Sequence, residues 1–77
     1  MSYAESISAN VKAEARRRNI QNQVIADHLG FSKASLAKRF NGTMEFRPSE
    51  IEKIARLLDV PIAVLTTPVE MPEKVAS

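Results

Sequence analysis

"IQNQVIADHLGFSKASLAKRFNG", residues 20–42, is the stretch that decides how this chain folds. From Asn22 to Leu29, Ile25 and Leu29 lie four apart on one helix face, and Ala26 is small enough to let a neighbouring helix approach. Gln21 precedes this helix as a mediocre N-cap. Gly30 follows it, as expected of a residue just past a helix end. A second short helix starts almost at once. Ser32 is a good N-cap, Phe31 and Leu36 have hydrophobic-staple spacing, and Asn41-Gly42 is a stop signal. Only Gly30, with its neighbours Leu29 and Phe31, separates the two helices.

Two short helices joined by so tight a turn read as a helix-turn-helix, here at residues 21–41. Helices extend on either side of it, and no stretch reads convincingly as a strand. A first helix is expected from about Tyr3 to Arg18, where Ser2 and Glu5 have capping-box spacing and Ile7 and Val11 share a face. It ends in Arg16-Arg17-Arg18, which serves equally as a solvated, dipole-compatible helix end or as a phosphate contact. A fourth runs from about Pro48 to Leu58, with Pro48 at its first position and Ile51, Ile54, Ala55 and Leu58 on one side. Ser49 and Glu52 offer an alternative capping box one residue later. A short fifth follows Pro61, from about Ile62 to Leu65. The reading is therefore all-α, with one domain at residues 1–66 and a loose C-terminal tail at 67–77.

Composition narrows the function. A chain of 77 residues is one domain with a thin stability margin, and an apolar fraction of 44% argues against disorder. With no cysteine and a single histidine, His28, neither a disulfide framework nor a zinc site is expected. No cofactor, metal or small-molecule ligand is expected. No apolar run approaches the roughly 20 residues that span a bilayer, and no signal pattern opens the chain. The expected location is the cytoplasm of a prokaryotic or phage-infected cell. Residues 1–47 carry eight Lys and Arg against four Asp and Glu, a balance of +4, while residues 48–77 carry three against five, or −2. A basic front and an acidic back suit a polyanionic partner on one side.

The third helix, residues 32–41, locates that partner. With Leu36 at zero and about 100° per residue, Phe40 falls at about 40°, so the core lies in that direction. Asn41, Ala34, Lys38 and Ser35 fall between about 140° and 260° and face away from it. Lys33 and Arg39 sit on the flanks, where long stems let their heads reach outward. Small residues flanked by long donors suit the DNA major groove, which admits a helix. Lys33 and Lys38 suit guanine O6 and N7, Ser35 either donates or accepts, and the Ala34 methyl suits a thymine methyl.

At this point residues 20–42 resemble the phage repressor and Cro type (lambda repressor-like) of helix-turn-helix protein, and "FRPSEIEKIARLLDVPIAVL", residues 46–65, is similar to that family's fourth and fifth helices. The resemblance implies a compact five-helix domain that binds double-stranded DNA, as a homodimer on a two-fold operator. It implies base contacts at Ser32, Lys33, Ala34, Ser35 and Lys38. It implies phosphate contacts at Asn22 and near Asn41 and Thr43, with Arg47 close by. Arg17, Arg18 and Arg39 complete the expected phosphate set. The chain departs from the family pattern at Gln21, usually Ser or Thr, and at Arg39, often apolar. Arg39 either covers the core edge with its stem or reaches a phosphate.

The function expected is sequence-specific transcription regulation, in a short Cro-like form that represses by covering an operator. The alternative is a DNA-binding accessory factor, an antitoxin or a recombination-directing protein, using the same helix. An interaction module without DNA binding ranks third. An enzyme ranks last: Glu50 and Glu52 face different ways on a helix, and no phosphate loop or nucleophile motif is present.

Overall fold

The computed structural model describes residues 2–69. Within them the chain forms five helices and no strand: α1 (Tyr3–Arg17), α2 (Asn22–Leu29), α3 (Lys33–Phe40), α4 (Pro48–Leu58) and α5 (Ile62–Thr66). Each start has a local cause. The Ser2 hydroxyl accepts from the Glu5 amide at 3.2 Å, while the Glu5 carboxylate accepts from the Ser2 amide at 2.9 Å, so two orphan donors are satisfied reciprocally. Those Ser2 bonds, the backbone one first, hold the Glu5 carboxyl below its ordinary range. α2 begins without a side-chain cap, as Gln21 led one to expect.

Proline decides the start of α4. Its fixed φ places Pro48 in the first turn, and the Glu50 carboxylate, rather than Glu52, reaches back to the Arg47 amide at 2.9 Å. The alternative box at Ser49 is not adopted, because the helix has already begun one residue before it.

The apolar faces meet in one core. Ile7, Val11 and Ala15 from α1 pack with Ile25 and Ala26 from α2, Leu36 from α3, Ile51, Ile54, Ala55 and Leu58 from α4, Leu65 from α5, and Phe46 from the loop before α4. Burying an Ile, Leu or Val fully contributes roughly 1.5–3 kcal/mol, so this cluster supplies most of the driving force. α4 packs on α2 and α5, and α1 packs on α5 and α3, so α2 and α3 close one side of the bundle and α5 the other. Phe40 and Phe46 meet edge to face with ring centroids 5.9 Å apart.

The segment after α5 is hydrogen-bonded to α1 as far as Val69. Asn10 Nδ2 donates to the carbonyls of Leu65 at 2.9 Å and Thr67 at 2.8 Å, and the Val69 amide donates to the buried Ser6 hydroxyl at 3.0 Å. Within the segment expected to be a loose tail from residue 67, α1 thus supplies partners for the Thr67 carbonyl and the Val69 amide. The remainder of that tail lies outside the described residues. Asn10→Ala removes both carboxamide bonds and should cost about 1–2 kcal/mol. Urea unfolding reads this directly, and an unmoved midpoint would show that the α1–α5 strap contributes nothing.

Candidate nucleic-acid interface

The geometry of the outward face starts at Gly30. Its φ of 74° is left-handed, and the Phe31 amide then closes back onto the Ala26 carbonyl at 2.8 Å. This reversal sends the chain from α2 into α3 within three residues. Ser32 caps the new helix, its Oγ accepting from the Ser35 amide at 3.1 Å and donating to the Ser35 hydroxyl at 3.2 Å. Ser32, expected at the bases, thus also holds the helix start.

Around α3 the sequence-derived directions hold for three of the four residues expected to face out. Ala34, Lys38 and Asn41 are exposed, as is Lys33 on the flank, and Ser35 is half-buried beside its capping partner. The flanks differ from each other. Lys33, Ala37 and Asn41 border an open groove between α3, the start of α2 and the last turns of α1. Asn22 lies on its rim, and so do Lys12 and Arg16. The opposite flank, carrying Ser35 and Arg39, turns toward α4. Past α3, Asn41 Oδ1 accepts from the Thr43 amide at 3.0 Å and Gly42 takes a φ of 88°, so the loop toward exposed Arg47 leaves α3 through a side-chain-braced turn.

Three of the cations expected at phosphate meet partners within the fold. The Arg39 side chain is only 7% exposed, and its guanidinium donates to both Glu50 carboxylate oxygens and to the Ser35 carbonyl. An arginine whose donors are bonded inside the fold has no fork left for a phosphate. The arginine triplet is also split. Arg17 and Arg18 both pair with the Glu14 carboxylate, at 3.3 and 2.6 Å, on the flank of α1 away from α3. Neither borders the groove.

Arg16 does border it, together with Lys12 one turn earlier. Counting about 100° per residue from Val11, Ser8, Lys12 and Arg16 fall along one flank, whereas Asn10, Glu14 and Arg17 fall on the other. The Ser8 hydroxyl donating to the Arg39 carbonyl at 2.9 Å shows which flank meets α3. Lys12 Nζ lies 5.2 Å from the Phe40 ring centroid, a cation–π distance. Sequence reasoning passed over Lys12 and read Arg16 only as part of the arginine triplet, although their four-residue spacing beside the Ile7–Val11–Ala15 stripe was the available signal.

A left-handed two-helix turn presenting a capped, basic-tipped helix defines a helix-turn-helix DNA-binding domain. The Helix-turn-helix family model matches residues 11–65, from the middle of α1 to α5. The chain belongs to this helix-turn-helix family, of the repressor and Cro type, whose fold is that of DNA-binding regulators rather than enzymes. No curated protein matches it. The crystal structure of FeII HppE is similar in fold, with a TM-score of 0.74 at 20% identity over 95% of this chain. This chain spans only 44% of that one, and the likeness concerns fold alone. Among the described residues, no helix is long and apolar enough to cross a membrane, and no cluster of His, Cys, Asp or Glu is arranged to hold a metal ion.

A Cβ added at Gly30 would meet nothing within 4 Å, so alanine there is opposed by backbone conformation alone. Gly30→Ala should cost about 1–2 kcal/mol, and Gly30→Asn less, since asparagine tolerates the left-handed region. Thermal and urea unfolding of both variants check this; an alanine variant as stable as wild type would contradict a turn held left-handed.

Proposed function

We propose that this chain is a sequence-specific regulator that lays α3 in the major groove of duplex DNA, binds as a homodimer on a two-fold operator, and represses by occluding a promoter. The observation that carries the reading is the division of α3. Leu36 faces the core, Ala34 and Lys38 stand at the exposed crest, and a groove edged by Lys12, Arg16 and Lys33 runs along one flank. A crest of that shape lets the helix backbone approach the base edges, with Lys38 and Lys33 donating to guanine and the Ala34 methyl against thymine.

Affinity and register come from phosphates. Lys12, Arg16, Asn22 and Asn41 surround the groove and take one backbone segment, with Thr43 and Arg47 beyond the end of α3. Lys12 and Arg16 replace Arg17 and Arg18 in this reading because the latter two share the Glu14 carboxylate on the other flank, away from the groove. A surface this small favours two copies on half-sites about 34 Å apart, which doubles the contacts without enlarging the domain.

Selection of bound sequences from random duplex DNA tests the whole reading, and a palindromic consensus is the expected result. On that consensus, Lys38→Ala should lose about 1–3 kcal/mol and relax preference at one position. Arg16→Ala should weaken all sequences alike and flatten the dependence of log affinity on log salt by about 1, whereas Arg17→Ala should leave that slope near wild type. Uniform loss in Lys38→Ala would remove it from base readout. A flattened slope in Arg17→Ala alone would return the phosphate role to the other flank.

A further inference from the structure

We infer that Arg39 and Glu50 are positioning residues that set the rotation of α3 about its own axis, and with it the register of Lys38 and Ala34 against the bases; this rests on the DNA reading above. Of the eight residues in α3, only Leu36 and Arg39 are buried. Leu36, with half-buried Phe40 packed edge to face on Phe46, fixes which side faces the core, but apolar contact is non-directional and leaves the finer rotation to directional bonds. Arg39 supplies those bonds on the flank that meets α4. Its Nε and Nη2 donate to the two Glu50 oxygens at 3.1 and 3.3 Å, and Nη1 donates to the Ser35 carbonyl at 3.0 Å. The guanidinium carbon lies 4.0 Å from the centroid of Phe31, the residue that leads into the Ser32 cap.

The other end of the clamp is equally fixed. Glu50 Oε1 also accepts from the Arg47 amide at 2.9 Å, so the carboxylate is built into the first turn of α4. α4 in turn is held by buried Ile51, Ile54, Ala55 and Leu58. The planar guanidinium therefore ties the turn before α3, the body of α3 and the start of α4 to one another. A lysine could not reproduce that fork.

Rotation matters because readout tolerates little of it. A helix with side chains is about 10–12 Å across, so a turn of about 20° carries a surface group through about 2 Å. Hydrogen-bond distances occupy a window of about half an ångström, so such a turn breaks base contacts while leaving general attraction to phosphates intact. A buried ion pair is also a weak source of net stability compared with a neutral replacement of similar size. The expected contribution of the clamp is thus to geometry, and it separates from folding.

The test compares wild type with Arg39→Met/Glu50→Gln, which keeps net charge unchanged and keeps an oxygen at the Arg47 amide. Each is titrated against the site recovered by selection and against a scrambled duplex, across a salt series. The double variant should bind the scrambled duplex within twofold of wild type, with the same salt slope, while its preference for the selected site falls tenfold or more. Arg39→Lys, which retains the charge but not the fork, should lose preference in the same direction and carries the test if the double variant does not fold. Undiminished preference in a folded variant overturns the inference. So does equal loss on both duplexes with a flattened salt slope, which would make Arg39 a phosphate ligand. A wild type without preference fails the DNA reading itself, and is seen before any variant is made.

Discussion

An eight-residue helix cannot hold its own shape in water, and α3 is eight residues long. Its persistence depends on what surrounds it. Gly30 takes a left-handed conformation so that α2 can stop and Ser32 can cap α3 almost immediately. Leu36 and half-buried Phe40 give α3 its apolar anchors in the core, and Arg39 gives it a polar one. The outward face is left to residues that do no packing. That division leaves Ala34 and Lys38 exposed and without a packing role in the fold.

The bundle behind α3 serves as its frame. α1 and α4 contribute seven of the twelve buried apolar core residues, and α5 closes the side away from the helix-turn-helix. Polar groups stitch the frame where apolar contact ends. Ser8 holds the Arg39 carbonyl, Ser6 holds the Val69 amide, and Asn10 bridges two carbonyls at the end of α5. Among the described residues, no buried side-chain donor or acceptor is left without a partner. In a domain this small such satisfaction counts, because one orphaned polar group would remove a sizeable share of the net stability.

Charge is sorted by flank rather than by count. Arg16, Arg17 and Arg18 are neighbours in the chain, yet a rotation of about 100° per residue sends them to different surroundings. Arg16 joins Lys12 beside α3, and the other two meet Glu14. On α3 the same rule separates Lys38, free at the crest, from Arg39, buried against α4. Reading a basic run as one patch misses this, since helix neighbours one apart do not share a face.

The sequence by itself determined the elements and their ends. Capping at Ser2 and Ser32, the glycine at 30, the proline at 48 and the apolar spacings acted locally, and the helices start and stop within a residue or so of where these signals stand. The crest of α3 was legible for the same reason, being a property of one helix and its periodicity. The left-handed residues Asn19 and Asp59 carried a weaker signal, because polar side chains adopt that conformation far less regularly than glycine does. What only the tertiary structure decided is which partner each flank meets. Arg39 finds Glu50 eleven positions away, and Lys12 and Arg16 find α3, across packing that no local rule specifies. Those choices belong to how the helices are arranged around a shared core, and hydrophobic burial is non-directional enough that the polar contacts, not the apolar ones, record the result.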